Sequence, residues 1–512
     1  MSKYILAHDL GTSGNKAAIF RTDGTLVGST LFEYPTYYPK DGWVEQNPQD
    51  WWRAVCQSTK ELLEKTKVKA SEIGGISFSA HMMGCLLVDK EGTPLRKMLI
   101  WADTRSKKQE EFMIQQIGLA EGYKRTGHRL SASYSAAKLL WIKDNEPELY
   151  KQGYKMLHVK DYVIYRLTGN FVTDYSDASG TNLLNLTKKE WDEDILSALK
   201  IEKSLLPDIL PSSAICGYLL KDAAAALGLI SGIPIITGGG DGSCACVGAG
   251  VVDEGKAYNI LGSSSWISAA TKAPIFDKEM RTFTWLHLDE NLYTPCGTMQ
   301  AAGYSYSWYK ELFCQEEKQK AAEKGINVYE YLNEEILTSP VGANGLLYLP
   351  YLLGERSPRW NHNARGAFIG MSPQTGKADV SRAVLEGVSL NLKIILDIIQ
   401  QDIIQQAINI DEIIVIGGGA KGRVWVQMLA DIYQKKILLP QYLEEATTIG
   451  AAVCGGIGMG AFDNFTAVEK FNKIVDTVLA NPAHRETYEK LAKAFESSYQ
   501  GLCEAYEILA GM

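Results

Sequence analysis

The first residues that could carry chemistry stand close to the N-terminus. A predicted strand at 4–10 has Asp9 near its end, and a run of small residues and a cation follows: Gly11, Thr12, Ser13, Gly14 and Lys16. Small residues let backbone N–H groups approach anionic oxygens, and a carboxylate and a cation complete the set that a magnesium nucleotide requires. A hairpin turn would explain the same glycines, so this segment predicts a phosphate loop only with further support.

A second strand–turn–strand unit repeats this plan about 250 residues later. Its predicted strands lie at 255–261 and 266–270, and the turn between them consists of Gly262, Ser263, Ser264 and Ser265. The hydroxyl and N–H groups of this turn could serve as a second phosphate loop. The repetition indicates two domains of one plan, and 512 residues are too many for a single ordinary core.

Asp241 is the third candidate. The apolar run at 233–237 ends in three glycines, and Asp241 stands where a helix of small residues is predicted to begin. Aspartate is a favoured helix N-cap, so a structural role would suffice. If the carboxylate faces a cleft instead, it could orient an acceptor hydroxyl and take its proton during phosphoryl transfer.

Elements of both kinds alternate along the chain. Predicted helices lie at 50–67, 135–145, 424–433 and 485–509, and predicted strands lie at 75–79, 233–237 and 412–416. A glycine turn at 417–419 joins the last of these strands to the helix that follows it. This alternation favours an α/β protein with parallel or mixed sheets flanked by helices.

Composition excludes several classes of protein. The net charge is −8 and no block of lysine and arginine is present, so nucleic acid is not expected as a partner. No apolar run reaches the roughly 20 residues of a membrane helix, and the N-terminus lacks a signal-peptide pattern, so we expect a cytoplasmic protein without a membrane partner. The nine cysteines and seven histidines form no metal-binding pattern.

Two longer segments, 133–145 and 366–386, add a resemblance to a known family. Together with the loops above, they resemble the signatures of the FGGY carbohydrate kinases, which belong to the actin, Hsp70 and sugar-kinase superfamily. The resemblance covers nearly the whole chain. It implies two RNase-H-like domains of the actin/hexokinase-type fold flanking a nucleotide cleft, with ATP and Mg²⁺ as cofactors and a small sugar or polyol as substrate.

The resemblance also implies roles for individual residues. Asp9 would hold the Mg²⁺ and Asp241 would be the catalytic base. The β- and γ-phosphates would be bound by Gly11, Thr12, Ser13 and Lys16 from the first domain and by Gly262, Ser263 and Ser264 from the second. The adenosine would lie along Gly418, Gly419 and Arg423. We place the first domain at 1–250, with the sugar site, and the second at 251–512, with its last helix as a candidate for packing back.

The sugar site by this resemblance comprises His81, Met82, Met83, Asp103 and Arg105, together with Asp241. The pattern is closest to the xylulose kinases, but it has Met83 where they have histidine and Gly242 where they have asparagine. Glycerol kinases have an arginine and a glutamate in place of the two methionines. This apolar floor predicts a substrate with a less polar end, a deoxy carbon or a differently oriented chain.

Several interpretations stay open at this point. His81 is either a buried histidine satisfied by the protein or a donor to a substrate hydroxyl. Asp103 with Arg105 is either an ordinary surface or interdomain ion pair or part of the sugar site. The charged turn at 354–361 receives no catalytic role.

The expected activity is phosphorylation of a ketopentose such as xylulose, or of a related ketose or polyol. The alternatives are an ATPase switch like actin or Hsp70, and a sugar-responsive regulator descended from a kinase. Dimers are common among similar enzymes, so a homodimer is compatible with the sequence.

Overall fold

The computed structural model describes residues 4–404 and 408–512. A first mixed sheet is built from β1 Tyr4–Leu10, β2 Gly14–Arg21, β3 Leu26–Glu33, β4 Ile73–Ala80, β5 Ile215–Tyr218, β6 Pro234–Ile236 and β7 Gly239–Gly240. Its order is β5-β6-β4-β1-β2-β3, and the short β7 also pairs with β4. β1, β4 and β6 run parallel, whereas β2, β3 and β5 are antiparallel to their neighbours.

A second sheet has the same plan. Its strands are β8 Ala257–Leu261, β9 Ser265–Ala269, β10 Phe283–Leu286, β11 Tyr293–Met299, β12 Glu412–Ile416, β13 Lys436–Pro440 and β14 Ile474–Val478. The order is β10-β11-β9-β8-β12-β13-β14, with β8, β12 and β13 parallel. Apart from β10, each strand matches one of the first sheet in position and direction, which confirms the predicted two-domain α/β fold. The predicted boundary near residue 250 stays a prediction.

The helices are α1 Pro48–Thr66, α2 Lys107–Ile117, α3 Leu119–Thr126, α4 Ser135–Asn145, α5 Pro147–Gln152, α6 Val159–Thr168, α7 Tyr175–Ser179, α8 Glu193–Leu199, α9 Lys221–Leu227, α10 Asp241–Gly248, α11 Gly303–Phe313, α12 Gln315–Lys324, α13 Val328–Ile336, α14 Lys377–Ile404, α15 Arg423–Tyr433, α16 Ala446–Gly458, α17 Val468–Phe471 and α18 Arg485–Ala510. Short two-stranded ribbons pair Glu45–Gln46 with Met98–Leu99, Leu86–Val88 with Lys155–Leu157, Val172–Asp174 with Asp208–Leu210, Leu184–Asn185 with Glu190–Trp191, and Leu347–Leu349 with Ala367–Ile369.

Local sequence explains where these elements begin and why they are buried. The central strand β1 is apolar on both faces, and Ile5, Leu6 and Ala7 have no exposed surface, as expected for a strand covered by helices on both sides. The helix α1 begins after Asn47, whose side chain accepts from the N–H of Gln49, with Pro48 in the first turn. The outer strand β14 is exposed along most of its length, as its place at the sheet edge dictates.

One helix from the second half of the chain belongs to the core of the first. α16 packs on β1 and β4 and lies along α10. A Cβ on Gly450 would meet the carbonyl oxygen of Cys244 at 2.1 Å, so the two helices cross with almost no space between their backbones. The C-terminal helix was a candidate for packing back. It is α18, and it packs on α14, α15 and the 347–349 strand, all in the second domain. Within the described residues, no helix is long and apolar enough to cross a membrane.

Candidate active site

Strand register brings the candidate carboxylates to one edge of the first sheet. Asp9 on β1 and Gly239 on β7 both stand opposite Ser79 of β4. The residues that follow them, Leu10 and Gly240, both stand opposite Ala80. His81 and Asp241 are therefore the first residues beyond the carboxyl ends of β4 and β7. Ligands of open α/β sheets bind at such carboxyl ends, so the fold by itself favours a site here.

The glycine turn before Asp241 is required by close packing. Gly238 has φ +67°, and a Cβ there would stand 1.9 Å from the carbonyl oxygen of Phe78. A Cβ on Gly240 would stand 2.4 Å from the sulfur of Met82. Only glycine lets the chain lie this close to β4, and this approach places Asp241 beside His81 and Met82.

A cavity of about 280 Å³ opens in front of Asp241. Its walls come from both halves of the chain: Thr12, His81, Met82, Met83, Trp101, Asp241 and Gly242 from the first, and Tyr258, Ser264, Trp266, Ser268, Phe283, Trp285, Thr294, Cys296, Thr298, Met299, Gln300 and Arg356 from the second. Most of the second-half residues lie on the strands β8 to β11. The cavity is thus enclosed between the first sheet's carboxyl edge and the second sheet.

Asp241 is the first residue of α10, and its Oδ1 accepts from the N–H of Gly242 at 2.8 Å. Burial and the negative charge of Asp9 raise the pKa of the Asp241 carboxyl to about 7. A carboxyl with this pKa is a stronger base than an ordinary aspartate and is still substantially ionised near neutral pH. It can therefore accept a proton from a hydroxyl bound in the cavity.

Asp9 has both carboxylate oxygens bound by hydroxyl donors. Ser79 Oγ donates to Oδ1 at 2.7 Å, and Thr447 Oγ1, at the start of α16, donates to Oδ2 at 2.6 Å. Burial raises the pKa of Asp9, while these hydrogen bonds and Lys16 oppose the rise. Thr447 was not found by sequence reasoning, because its link to Asp9 spans most of the chain and has no local signal.

Lys16 also contacts the second half of the chain. Its Nζ donates to the carbonyl oxygen of Glu444 at 2.8 Å and lies 3.3 Å from Glu445 Oε1. Asp9 and Lys16 therefore both meet the segment 444–447. These contacts join the first loop to α16.

The two predicted phosphate loops are tight turns. In the first, the N–H of Gly11 donates to the carbonyl oxygen of Gly14 at 2.9 Å, and the adjacent Thr12 hydroxyl accepts from Trp101 Nε1 at 3.0 Å. In the second, the N–H of Gly262 donates to the carbonyl oxygen of Ser264 at 3.1 Å. Thr12 and Ser264 line the cavity in front of Asp241, so both loops reach it.

A second cavity, of about 600 Å³, contains most of the predicted adenosine residues. It is lined by Leu261, Gly262, Ser263, Gly303, Tyr306, Ser307, Asn327, Tyr329, Glu330, Asn333, Gly418, Gly419, Lys421, Gly422 and Trp425. Gly262 and Ser263 therefore adjoin Gly418 and Gly419, as a nucleotide spanning both would require. Arg423 is not part of this lining, because its guanidinium pairs with Asp476 at the exposed surface. The prediction for Arg423 is not supported by this geometry.

The hydrogen-bond network around His81 fixes its tautomer. Gln46 Nε2 donates to the carbonyl oxygen of Thr12 at 2.6 Å, which leaves Gln46 Oε1 as the acceptor for Trp51 Nε1 and His81 Nε2, both at 3.0 Å. His81 Nε2 must therefore carry the proton. Burial lowers the His81 pKa to about 4, so the ring is neutral and its buried Nδ1, which has no protein partner among the described residues, is an acceptor.

This tautomer corrects one of the two interpretations of His81. With Nε2–H bound to Gln46, the neutral ring has no second proton to donate to a substrate hydroxyl, as the donor interpretation would require.

Met82 and Met83 form the expected apolar floor. They pack with Tyr134, Phe283, Trp285 and Cys296 in one buried cluster, and Trp101 and Trp266 lie against it. Trp101 and Trp266 also line the cavity. Aromatic faces next to a polar ligand suit the C–H face of a sugar.

Asp103 and Arg105 do not line the cavity. Arg105 Nε and Nη2 donate to the Asp103 carboxylate at 2.7–2.9 Å, and the guanidinium stacks 3.7 Å from the ring centre of Trp43. Asp103 Oδ2 also accepts from the N–H of Val44 at 2.6 Å. The geometry therefore favours an ion pair over a place in the sugar site. Both side chains are almost fully buried within the first half of the chain, so the pair is not the surface or interdomain one that was expected.

The charged turn at 354–361, which received no role from the sequence, contributes Arg356 to the cavity. The carboxylate of Glu355 accepts from the N–H groups of Gln300 and Arg356, each at 2.9 Å, and thereby ties two cavity-lining segments together. Burial raises the Glu355 pKa to about 8. The charges of this turn are visible in the sequence, but its position beside the cavity is not.

The paired folds, the two loops and a basic carboxylate beside a sugar-sized cavity define a kinase of the actin-like, two-domain class. Comparison with known families agrees: the N-terminal domain of the FGGY family of carbohydrate kinases matches residues 4–248 and the C-terminal domain matches 257–459. The chain belongs to the FGGY family of carbohydrate kinases. It is accordingly an ATP-dependent enzyme that phosphorylates a small carbohydrate.

Individual relatives are similar over their full lengths. A xylulose kinase of Bacillus subtilis (strain 168) is 32% identical over 498 residues, which cover 97% of each chain, and a gluconokinase of the same organism is 30% identical over 91% of this chain and 90% of its own. Among solved structures, a ligand-bound xylulose kinase from Lactobacillus acidophilus has a TM-score of 0.91 at 27% identity, covering 99% of this chain and 100% of its own. A gluconate kinase from that organism gives the same TM-score and identity, covering 99% of each chain.

Proposed function

We propose that this protein transfers the γ-phosphoryl group of ATP to a hydroxyl of a ketopentose, with xylulose as the first candidate, and that Asp241 is the catalytic base. The observation that carries the proposal is the position of Asp241. Its carboxylate, with the pKa raised to about 7, faces a sugar-sized cavity that both phosphate loops reach. Several of the most similar relatives are xylulose kinases, which supports the choice of ketose.

Asp241 would take the proton of the attacking hydroxyl as the phosphoryl group moves. The N–H and hydroxyl groups of the two loops would hold the phosphates, and the apolar cavity wall would exclude water and so suppress hydrolysis of ATP. Because the base must be ionised, we expect kcat to fall as acid protonates Asp241, at a pH above the ordinary range of an aspartate because burial raises its pKa. The pH profile of kcat measures this.

Mg²⁺ fits the residues at Asp9. The Asp9 carboxylate is half-buried beside two hydroxyls, at the edge that both phosphate loops share, and carboxylate oxygens suit this hard cation. When bound, Mg²⁺ would supply positive charge to the phosphates. Asp9 would hold it, with Ser79 and Thr447 fixing the orientation of the carboxylate.

A second candidate substrate is an aldonic acid. Arg356 lines the cavity, and its guanidinium lies 5.7 Å from the ring centres of Phe283 and Trp360. Among residues 4–404 and 408–512 it forms no ion pair with a carboxylate. An unpaired guanidinium is well suited to a carboxylate ligand. Gluconokinases among the relatives agree with this alternative.

ADP release measured with Mg-ATP across ketopentoses, ketohexoses, tetritols, glycerol and aldonic acids tests both candidates. Asp241→Asn should lower the rate by at least about a thousandfold, whereas Asp253→Asn, a change at an exposed carboxylate, should leave it unchanged. Sugar-independent turnover that survives Asp241→Asn would contradict the proposal and favour an ATPase switch. A clear preference for aldonic acids that disappears in Arg356→Gln would identify an aldonic acid, and not a ketopentose, as the substrate.

A further inference from the structure

A buried ionic cluster lies in the first half of the chain, outside the residues that line the cavity. It consists of His158, Lys160, Asp161, Asp174 and Asp177, and all five side chains are almost fully buried. Lys160 Nζ lies 2.7 Å from Asp161, 3.0 Å from Asp174 and 3.2 Å from Asp177. Removing this many charges from water is costly, so stability alone does not explain the cluster.

The cluster contains its own balancing cation. His158, Asp161 and Asp177 are close enough together to hold an ion, but the Lys160 ammonium already lies among the carboxylates and supplies the positive charge. His158 Nδ1 adds a 2.5 Å contact to Asp177, whose charge raises the His158 pKa against the effect of burial. The result is a buried network of ion pairs and charge-assisted hydrogen bonds.

Asp174 connects this network to the catalytic turn. Its Oδ1 faces Lys160, and its Oδ2 accepts from Ser176 Oγ at 2.5 Å and from Ser212 Oγ at 2.8 Å. Ser176 Oγ in turn accepts from the N–H of Gly240 at 3.0 Å. Gly240 is the residue immediately before Asp241.

The direction of each hydrogen bond follows from the donors available. A serine hydroxyl has one proton, and Ser176 gives it to Asp174, so its lone pair is free to accept from Gly240. Lys160 holds the other oxygen of Asp174 and prevents that carboxylate from turning. The amide of Gly240 is thus anchored through one hydroxyl to a buried, fixed charge.

We propose that Ser176 is a positioning residue for Asp241: it holds the Gly240 amide and thereby sets the direction in which α10 presents its first carboxylate to the cavity. This inference rests on the proposed role of Asp241 as base. A misplacement of about 1 Å at a reacting group can cost on the order of 100-fold in rate, so loss of this one anchor should be visible in kcat.

Ser212 provides a matched control. Its hydroxyl donates to the same oxygen of Asp174, and its side chain is equally buried, but it makes no side-chain contact with Gly240. The carbonyl oxygen of Ser212 accepts from the N–H of Gly238, and an alanine substitution leaves that backbone bond in place. Ser176→Ala and Ser212→Ala therefore remove similar hydroxyls from Asp174 and differ in the Gly240 hydrogen bond.

The test compares the two variants in kcat, in KM for ATP and sugar, and in melting temperature. We expect similar falls in melting temperature, but a fall in kcat on the order of 10- to 100-fold only in Ser176→Ala, with both KM values close to wild type. Wild-type kcat in Ser176→Ala overturns the inference. An equal loss of kcat in Ser212→Ala also overturns it, because the Gly240 bond would then not be the cause.

Ser176→Cys keeps the test decisive if Ser176→Ala does not fold. Cysteine fills the space but is a poor acceptor, so kcat should again fall while the fold is kept, and an unchanged kcat overturns the inference. Asp241→Asn, measured in the same assay, separates the two proposals. If Asp241→Asn retains activity, the role of the base fails; if it loses activity while both Ser176 variants keep theirs, only the positioning inference fails.

Discussion

The side chain of His81 lines the cavity with one ring nitrogen already committed to the protein. Gln46 Oε1 accepts a hydrogen bond from the Nε2–H of His81. The orientation of Gln46 is itself set by its hydrogen bonds with the Thr12 carbonyl and the Trp51 indole. Burial lowers the His81 pKa to about 4 and keeps the ring neutral. The unpartnered Nδ1 is therefore suited to accept a hydrogen bond from a substrate hydroxyl.

His81→Ala should lower kcat/KM for the sugar by about 10- to 100-fold, since it removes a buried acceptor worth roughly 1–3 kcal/mol. KM for ATP should not change, because His81 does not line the cavity that contains Gly418 and Gly419. His81→Asn, whose Oδ1 can accept in place of Nδ1, should retain part of the activity. Steady-state kinetics in both substrates check this, and an equal effect on ATP would refute a sugar-specific role.

At the scale of elements, the glycines 238–240 determine how closely the chain before Asp241 approaches β4. A Cβ on Gly238 would meet backbone, the Phe78 carbonyl, at 1.9 Å, and its φ is +67°. A Cβ on Gly240 would meet the sulfur of Met82, which belongs to a flexible side chain. The two glycines belong to the same turn before Asp241 but differ in what has to move.

Gly238→Ala should therefore destabilise the protein clearly more than Gly240→Ala, by at least about 2 kcal/mol, since it combines a left-handed φ with a backbone clash. Gly240→Ala should fold and instead change the sugar site by displacing Met82. Denaturation by urea measures the first effect and KM for the sugar measures the second. Equal stability of the two variants would contradict this account.

Local signals predicted the elements well. The helix Ser135–Asn145 and the strands β1 and β12 have their predicted bounds, and α15 begins one residue earlier than predicted. These agreements follow because periodicity and glycine turns are local signals. Residues brought together over long distances were not predicted. Arg356 reaches the cavity from a turn that pairs with Gln300, and Thr447 reaches Asp9 across the sheet. No periodicity or motif in one sequence carries such information.

The whole molecule is less divided than its two-domain plan suggests. Ile5, Ala7, Ala18 and Phe20 of the first sheet share one buried cluster with residues of α16, including Ile449. A chain cut between the halves would leave this face of the first sheet uncovered. The helix α16, whose Thr447 donates to Asp9, thus also completes the first domain's core.

A fragment of residues 1–250 should therefore fail to fold cooperatively, although it contains the complete first sheet. Exposing the face that α16 covers costs roughly 25 cal/mol of stabilisation for each Å² of apolar surface. When several large side chains are uncovered, the total loss exceeds the marginal free energy of unfolding of a domain. Calorimetry and binding of a hydrophobic dye measure this, and co-expression with 251–512 should restore a sharp transition. A cooperative unfolding transition of 1–250 alone would show that α16 is dispensable for the first domain, and the two halves would then be independent folding units.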